Sequence, residues 1–229
     1  MRQIFLDIET TGLYRTDRII EIGIAEIING NVEEVFHQYI NPTIPIPTQA
    51  TRIHGINDEM VKDKPLFSEV ADSLAAQIKD AKLIIHNAPF DSYYINFELA
   101  LLAQQGKREY ISIQDLCAEL VDSLVVARTK FPGQPNNLDA LIARFNIEAS
   151  GRAEKHGALV DAVLLAKVYQ AMCFTQSSLN LEAVTSEARL KSLNVDISSL
   201  GPFKLIKPTE AEEEAHRKVL AEFGIEESF

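Results

Sequence analysis

Positive charge is what this sequence has least of. Its 22 lysines and arginines face 33 aspartates and glutamates, a formal net charge of -11 at pH 7. Attraction to nucleic-acid phosphates depends on Lys and Arg, so a chain this acidic is by itself a poor non-specific binder of nucleic acid. Any nucleic-acid role must come through metal ions at a site, or through a partner that holds the substrate. Long apolar runs are missing too. No stretch is long enough to span a bilayer, and the N-terminus lacks a signal peptide's basic region and apolar core, so the chain reads as soluble. Cysteine is scarce. Cys117 and Cys173 lie far apart inside apolar segments, which predicts free buried thiols in a reducing cytoplasm rather than a disulfide or a metal pair. Internal repeats are absent.

What is present is organised around Ile4-Phe5-Leu6-Asp7-Ile8-Glu9-Thr10-Thr11-Gly12. The apolar run is rich in β-formers and reads as a central, buried strand. Residues i and i+2 of a strand share a face, so Asp7 and Glu9 project side by side. Two unpaired carboxylates on a buried strand repel each other and are costly to desolvate, and a bound divalent cation removes both problems. Taken alone, Asp-x-Glu also fits a strand end with two solvated acids. Thr10-Thr11-Gly12 then breaks the strand and leaves the acids at its carboxyl end, where open α/β sheets tend to place ligands.

Arg18 to Ile28 alternates with β-branched residues, Asn29-Gly30 signals a two-residue hairpin, and Val32 to Ile40 returns as a third strand. Pro42, Pro45 and Pro47 exclude a regular element from Asn41 to Pro47, and Arg52 to Ile56 falls in the irregular region that follows. Phe67 to Ile78 has helical periodicity. Lys82 to His86 reads as a short buried strand, with Asp91 at the start of the next helix. An acid there also suits the helix dipole. Ile111 to Val121 is expected to be a fifth strand, and Asn136 or Asn137 to cap a helix through Phe145. His156-Gly157-Ala158-Leu159-Val160-Asp161 opens an apolar helix to about Tyr169, with Gly157 allowing close backbone approach beside the histidine. Each acid or histidine has a bland explanation separately. Together they repeat one pattern, an acid where a β-element gives way to a turn or helix inside apolar sequence.

At these residues the chain resembles a known family. Phe5 to Gly12, His86-Asn87-Ala88-Pro89-Phe90-Asp91 and His156 to Asp161 are similar to the three motifs of the DEDD exonuclease superfamily, and the histidine five residues before the last aspartate marks its His-type branch. Supporting stretches are Ile53-His54-Gly55-Ile56, Asp122-Ser123-Leu124, Phe131-Pro132-Gly133 and Asn137 to Leu141. The resemblance runs from about residue 1 to 173, with no motif position missing, and is closest to the proofreading subunits of bacterial replicases. It implies a ribonuclease H-like α/β fold: a mixed five-stranded sheet with helices on both faces and the second strand antiparallel to the rest.

The resemblance also implies a chemistry. Asp7, Glu9, Asp91 and Asp161 are hard oxygen ligands suited to Mg²⁺ or Mn²⁺. Such a set can hold two cations about 3.5–4 Å apart for in-line phosphoryl displacement. By analogy with the family, Asp7 bridges both ions, Glu9 and Asp161 serve the nucleophile side, and Asp91 helps hold the leaving-group side. His156 would take a proton from the attacking water. The backbone of Thr10, Thr11, Gly12 and Leu13 would lie against the terminal nucleotide, His54 on a phosphate or sugar, and Phe90 on a base or sugar if it is not core. The expected substrate is DNA with a single-stranded or frayed 3′ end.

From Thr175 the character changes. Gln176-Ser177-Ser178-Leu179-Asn180-Leu181 resembles the sliding-clamp-binding peptide of this family, with Gln176, Leu179 and Leu181 suited to an apolar groove. Residues 182–202 read as a linker. Residues 203–229 have helical potential from Thr209, and in the family this end tethers the alpha (polymerase) subunit of DNA polymerase III; the competing reading is an acidic, solvated terminal helix. A small accessory subunit is a further partner that the resemblance leaves open. Two other function classes remain at this point: an RNA-trimming 3′–5′ exonuclease of the same branch, and a noncatalytic subunit that keeps the fold for assembly.

Overall fold

Strand β1 (Gln3–Thr10) is the middle of the sheet because its neighbours on both sides are apolar enough to bury it. The computed structural model describes residues 1–149 and 157–177, with side chains described as far as Cys173 in the last helix. Strands β2 (Ile19–Ile28) and β3 (Asn31–Tyr39) follow as a hairpin, turned by Asn29 and Gly30 at φ 53° and 87°, the left-handed pair that a tight two-residue turn requires. Two short helices, α1 (Thr48–His54) and α2 (Asp58–Val61), lead to α3 (Phe67–Ile78). Next come β4 (Lys82–Ile85), α4 (Ala88–Gln104), α5 (Ile113–Leu116) and β5 (Glu119–Asp122). Helices α6 (Ser123–Lys130), α7 (Leu138–Arg144) and α8 (Ala158–Ser177) complete the described residues. None of these helices is long and apolar enough to cross a membrane.

The sheet order is β3-β2-β1-β4-β5, with β2 antiparallel to both neighbours and β1, β4 and β5 parallel. This is the mixed five-stranded sheet expected from sequence. Because side chains alternate, β1 feeds two cores. Ile4, Leu6 and Ile8 pack with Val70, Leu74, Ile95 and Leu99 of α3 and α4. Phe5 points the other way, with Ala25 and Ile84, against Leu141, Leu165 and Val168 of α7 and α8. Each such large apolar side chain, fully buried, contributes roughly 1.5–3 kcal/mol. A smaller cluster of Ile20, Ile46, Ala50, Ile56 and Val61 seats α1 and α2. Arg18 makes a two-pronged ion pair with the buried Glu98 of α4, 2.7 Å on each arm, which ties the start of β2 to the helix that carries Asp91.

Several local expectations are corrected. Arg52 to His54 is helical: Pro47 occupies the cap position of α1 rather than prolonging the irregular stretch. The run from Ile111 to Val121 is divided, because the Ser112 hydroxyl accepts from the Asp115 N–H and starts the one-turn α5, leaving β5 only Glu119 to Asp122. Asn137, not Asn136, caps α7, which ends at Arg144. Helix α8 continues past Tyr169 to Ser177, so the backbone of Gln176 is helical. Both cysteines are free, but Cys173 is exposed rather than buried.

Candidate metal centre

The two β1 acids lie on the α8 face of the sheet, in line with Phe5. Across the antiparallel ladder Phe5 faces Ala25, Asp7 faces Gly23 and Glu9 faces Glu21. Asp161 arrives in the first turn of α8. Asp7, Glu9 and Asp161 each offer a carboxylate oxygen, and these atoms all lie within 4.8 Å of one another. Asp161 is only 6% exposed. Three acids this close repel one another unless a cation or proton intervenes, and an all-oxygen donor set suits a hard divalent ion.

Gly23 makes the convergence possible. A Cβ there would sit 2.2 Å from the Leu159 nitrogen and 2.3 Å from the Ala158 carbonyl carbon, inside the backbone of α8. A Cβ on Gly157, by contrast, would meet its nearest described atom at 4.0 Å; the histidine beside which close approach is expected there lies outside the described residues. Ala25, next on the same face, continues the shallow groove into which α8 packs. No sequence motif flags Gly23. Its only signal is a glycine inside a β-branched run, which suggests close backbone approach.

Asp91 reaches the same strand from the other layer. It is 3% exposed, and its Oδ1 accepts from the Ile8 N–H at 3.2 Å, between Asp7 and Glu9. Burial pushes this carboxyl well above the ordinary carboxylate range. The N–H groups of Asp91 and Ile8 oppose the rise, and the charges of Glu9 and Asp122 add to it. The turn before α4 is held by Asn87 at φ 69°, whose N–H donates to Asp122 Oδ1 at 3.1 Å, and by the His86–Ser123 contact at 2.9 Å.

Thr10 and Thr11 are buried, while Leu13 is 82% exposed. Asp17, which sequence reasoning missed, shapes this turn. Its carboxylate accepts from the Thr11 hydroxyl and the Tyr14 N–H at 3.1 and 2.6 Å, and it occupies the space a Cβ on Gly12 would need. His54 is buried, its Nδ1 accepts from the Ile56 N–H at 3.0 Å, and its Nε2 makes no hydrogen bond among the described residues. That bond leaves the proton on Nε2, and burial lowers the imidazole's pKa. His54 lines a cavity of about 370 Å³ with Glu21, His37, Gly55, Gly157 and Leu159. Phe90 is half-buried, edge-on to Tyr94 at 4.9 Å and packed against the α3–α4 core. His156, Leu179 and Leu181 lie outside the described residues, as does the span 182–229, and the Gln176 side chain is not described.

Residues 4–169 match the RNase_T family, described as exonuclease. The chain is 45% identical over 228 residues to the DNA polymerase III subunit epsilon of Rickettsia conorii, covering 96% of both proteins. It is likewise 45% identical over 185 residues to the same subunit of Escherichia coli, covering 78% of this chain and 74% of that one. Among solved structures, exonuclease X in complex with 5′ overhanging duplex DNA superposes with a TM-score of 0.56 at 23% identity, covering 76% of this chain and 93% of the other.

Gly23→Ala tests the packing that brings the acids together. Ordinary contact begins at 3.4 Å against the 2.2 Å available, so α8 must move out by about an ångström. Overpacking of this kind costs roughly 1–3 kcal/mol, and an ångström of misplacement can lower a rate about 10²-fold. The expected result is a folded protein with a lowered melting temperature and weakened Mn²⁺ binding by titration calorimetry. Wild-type Mn²⁺ affinity would show that the carboxylates do not depend on this contact.

Proposed function

The chain belongs to the RNase_T exonuclease family and, by identity over nearly its whole length, to the epsilon subunits of DNA polymerase III, and from that premise we propose that Asp7, Glu9, Asp91 and Asp161 hold two divalent cations, Mg²⁺ or Mn²⁺. Its activity is 3′–5′ exonucleolytic proofreading in a bacterial replicase, removing mispaired terminal nucleotides as 5′-monophosphates. The observation that carries this reading is the convergence of Asp7, Glu9 and Asp161 within 4.8 Å at the end of the central strand. The donor set fits the ions: the oxygens are hard, and the repulsion among them is relieved by positive charge. Such ions neutralise a phosphodiester and lower the pKa of bound water.

The chain's own residues do the rest. Asp7 would be the ligand shared by the ions, with Glu9 and Asp161 serving the nucleophile side and Asp91 the leaving-group side. His156 accepts the proton of the attacking water, a role its imidazole suits near neutrality. The turn of Thr10, Thr11, Gly12 and Leu13, braced by Asp17, supports the terminal nucleotide. His54 donates from Nε2 to a phosphate or sugar oxygen. Gln176, Leu179 and Leu181 contact the sliding clamp, and residues 203–229 tether the alpha subunit, which supplies the basic DNA channel this acidic chain lacks. Two weak linked contacts raise effective affinity by roughly 10²–10⁴-fold when the linker spans both sites.

Digestion of 3′-labelled single-stranded DNA, mismatched duplex and RNA, with metal and with EDTA, tests the activity and its substrate together. DNA ends should be trimmed only with metal. Asp7→Ala should remove nearly all activity while leaving the metal-free melting temperature unchanged or raised, since one repelling charge is gone. Full activity in that variant would sink the two-metal reading.

His156→Ala should lower turnover by roughly 10²–10⁴-fold, far more than it weakens metal binding. The wild-type rate should fall as pH drops below the imidazole pKa, and the variant should lose that limb. A pH profile unchanged by the substitution would assign the proton elsewhere.

Deleting residues 203–229 should abolish co-elution with the alpha subunit in size-exclusion chromatography and spare hydrolysis of free oligonucleotides. Gln176→Ala with Leu179→Ala should weaken clamp binding alone. Undiminished co-elution of the deletion would place the tether in residues 1–202.

A further inference from the structure

We propose that Glu21 is a positioning residue: gripped by His37, it caps the first turn of α8 from strand β2 and so sets Asp161 against Asp7 and Glu9. This rests on the reading of Asp161 as a metal ligand. The Gly157 carbonyl accepts the first bond of α8, from the Asp161 N–H at 2.9 Å, so Gly157 holds the cap position. Glycine has no side chain to satisfy the free N–H groups there. One of them, on Ala158, donates instead to Glu21 Oε2 at 3.1 Å, across 137 residues of chain. The other oxygen, Oε1, lies 2.7 Å from His37 Nε2. Glu21 is 3% exposed, and each of its carboxylate oxygens has a partner. A buried carboxylate at the positive end of a 20-residue helix is favourably placed.

The register explains why this arrangement matters for the centre. Glu21 stands directly opposite Glu9 on the same face of the sheet, and like charges so placed oppose each other. A Glu21 left to itself would be a further acid beside the cluster. His37 and the Ala158 N–H turn it toward the helix end, and it is not among the acids whose oxygens converge. Glu21 and Gly23 are i and i+2 on β2, so one edge of one strand both admits α8 and pins it: the glycine sets the depth and the glutamate fixes the first turn. Asp161 is three residues beyond Ala158, on that turn.

The full chain with Glu21→Ala, Glu21→Gln and His37→Ala tests this, with three readouts. Hydrogen exchange of the Ala158 amide in metal-free protein reports the cap, Mn²⁺ titration calorimetry reports the ligand it positions, and kcat and KM on a 3′-labelled oligonucleotide report the reaction. Glu21→Ala should speed Ala158 exchange at least tenfold, weaken Mn²⁺ binding by roughly 10–100-fold, and lower kcat with KM little changed. Glu21→Gln should recover most of this, because its amide oxygen still accepts from Ala158. Unchanged Ala158 exchange and Mn²⁺ affinity in folded Glu21→Ala would overturn the proposal, as would a Gln variant as impaired as the Ala variant. Should Glu21→Ala not fold, His37→Ala decides, since its side chain is 35% exposed and leaves little cavity. Faster Ala158 exchange with weaker Mn²⁺ binding there supports the proposal, and wild-type values refute it. Asp161→Ala separates the two readings: if it leaves Mn²⁺ affinity intact, the metal assignment fails, while Ala158 exchange still reports the cap.

Discussion

A methyl group at position 23 would collide with the backbone of α8, and the absence of that group is what lets a helix lie against two central strands closely enough for its first turn to meet their acids. The separation between packed layers is ordinarily set by side chains, about 10 Å between a sheet and its neighbour. Here the helix start comes in closer. The contact is local: farther along the same face Ala25 and then the larger residues around Leu165 and Val168 restore an ordinary apolar core. Helix α8 is thus held firmly by its apolar body and brought near by its first turn. The body supplies the stability that the acidic end withholds.

That acidic end is unfavourable for the fold when no cation is present. Asp7, Glu9 and Asp161 crowd within 4.8 Å, and Asp91 is driven toward its neutral form by burial. A carboxyl whose pKa is raised on folding keeps its proton where the unfolded chain has lost it. Stability from such a group is therefore lost as pH rises from the unfolded value through the folded one. A cation that binds the folded chain reverses the sign of this contribution, stabilising it by about 2.7 kcal/mol at a hundred times its dissociation constant. The same crowding that opposes folding without a cation would favour binding one.

Much of this was legible in the sequence because the strands advertise themselves. Asp7 and Glu9 interrupt an otherwise apolar run, and period-two alternation puts them on the same face. The hairpin at Asn29-Gly30 and helix α3 were equally plain. Where one apolar run served two elements, as from Ile111 to Val121, periodicity failed: a single turn capped by Ser112 and a four-residue strand are too short to show a period. The three prolines before α1 hid a helix that begins directly after Pro47. Gly23, Glu21 and Asp17 were missed for another reason. Gly23 and Glu21 meet backbone at Leu159 and Ala158, and no local pattern encodes a partner 137 residues away, while Asp17 bonds Tyr14 three residues off in a turn that has no period to read.

The proposed centre draws on three independently supported elements, and this distributes its precision. The β1 acids are fixed by ladders on both sides, to β2 and β4. Asp91 is fixed from the α3–α4 layer by its bond to the Ile8 N–H, and Asp161 from the opposite layer by the docking of α8. The two helices pack on opposite faces of the sheet. Strand β1 is the common reference, and each layer must register to it separately. A disturbance of α8 should therefore shift Asp161 while leaving the Asp91–Ile8 bond intact. A slip of β1 by one residue would turn Asp7 and Glu9 to the wrong face and end the site altogether. The apolar residues that hold that register, Ile4, Phe5, Leu6 and Ile8, are as much a condition of the convergence as the acids beside them.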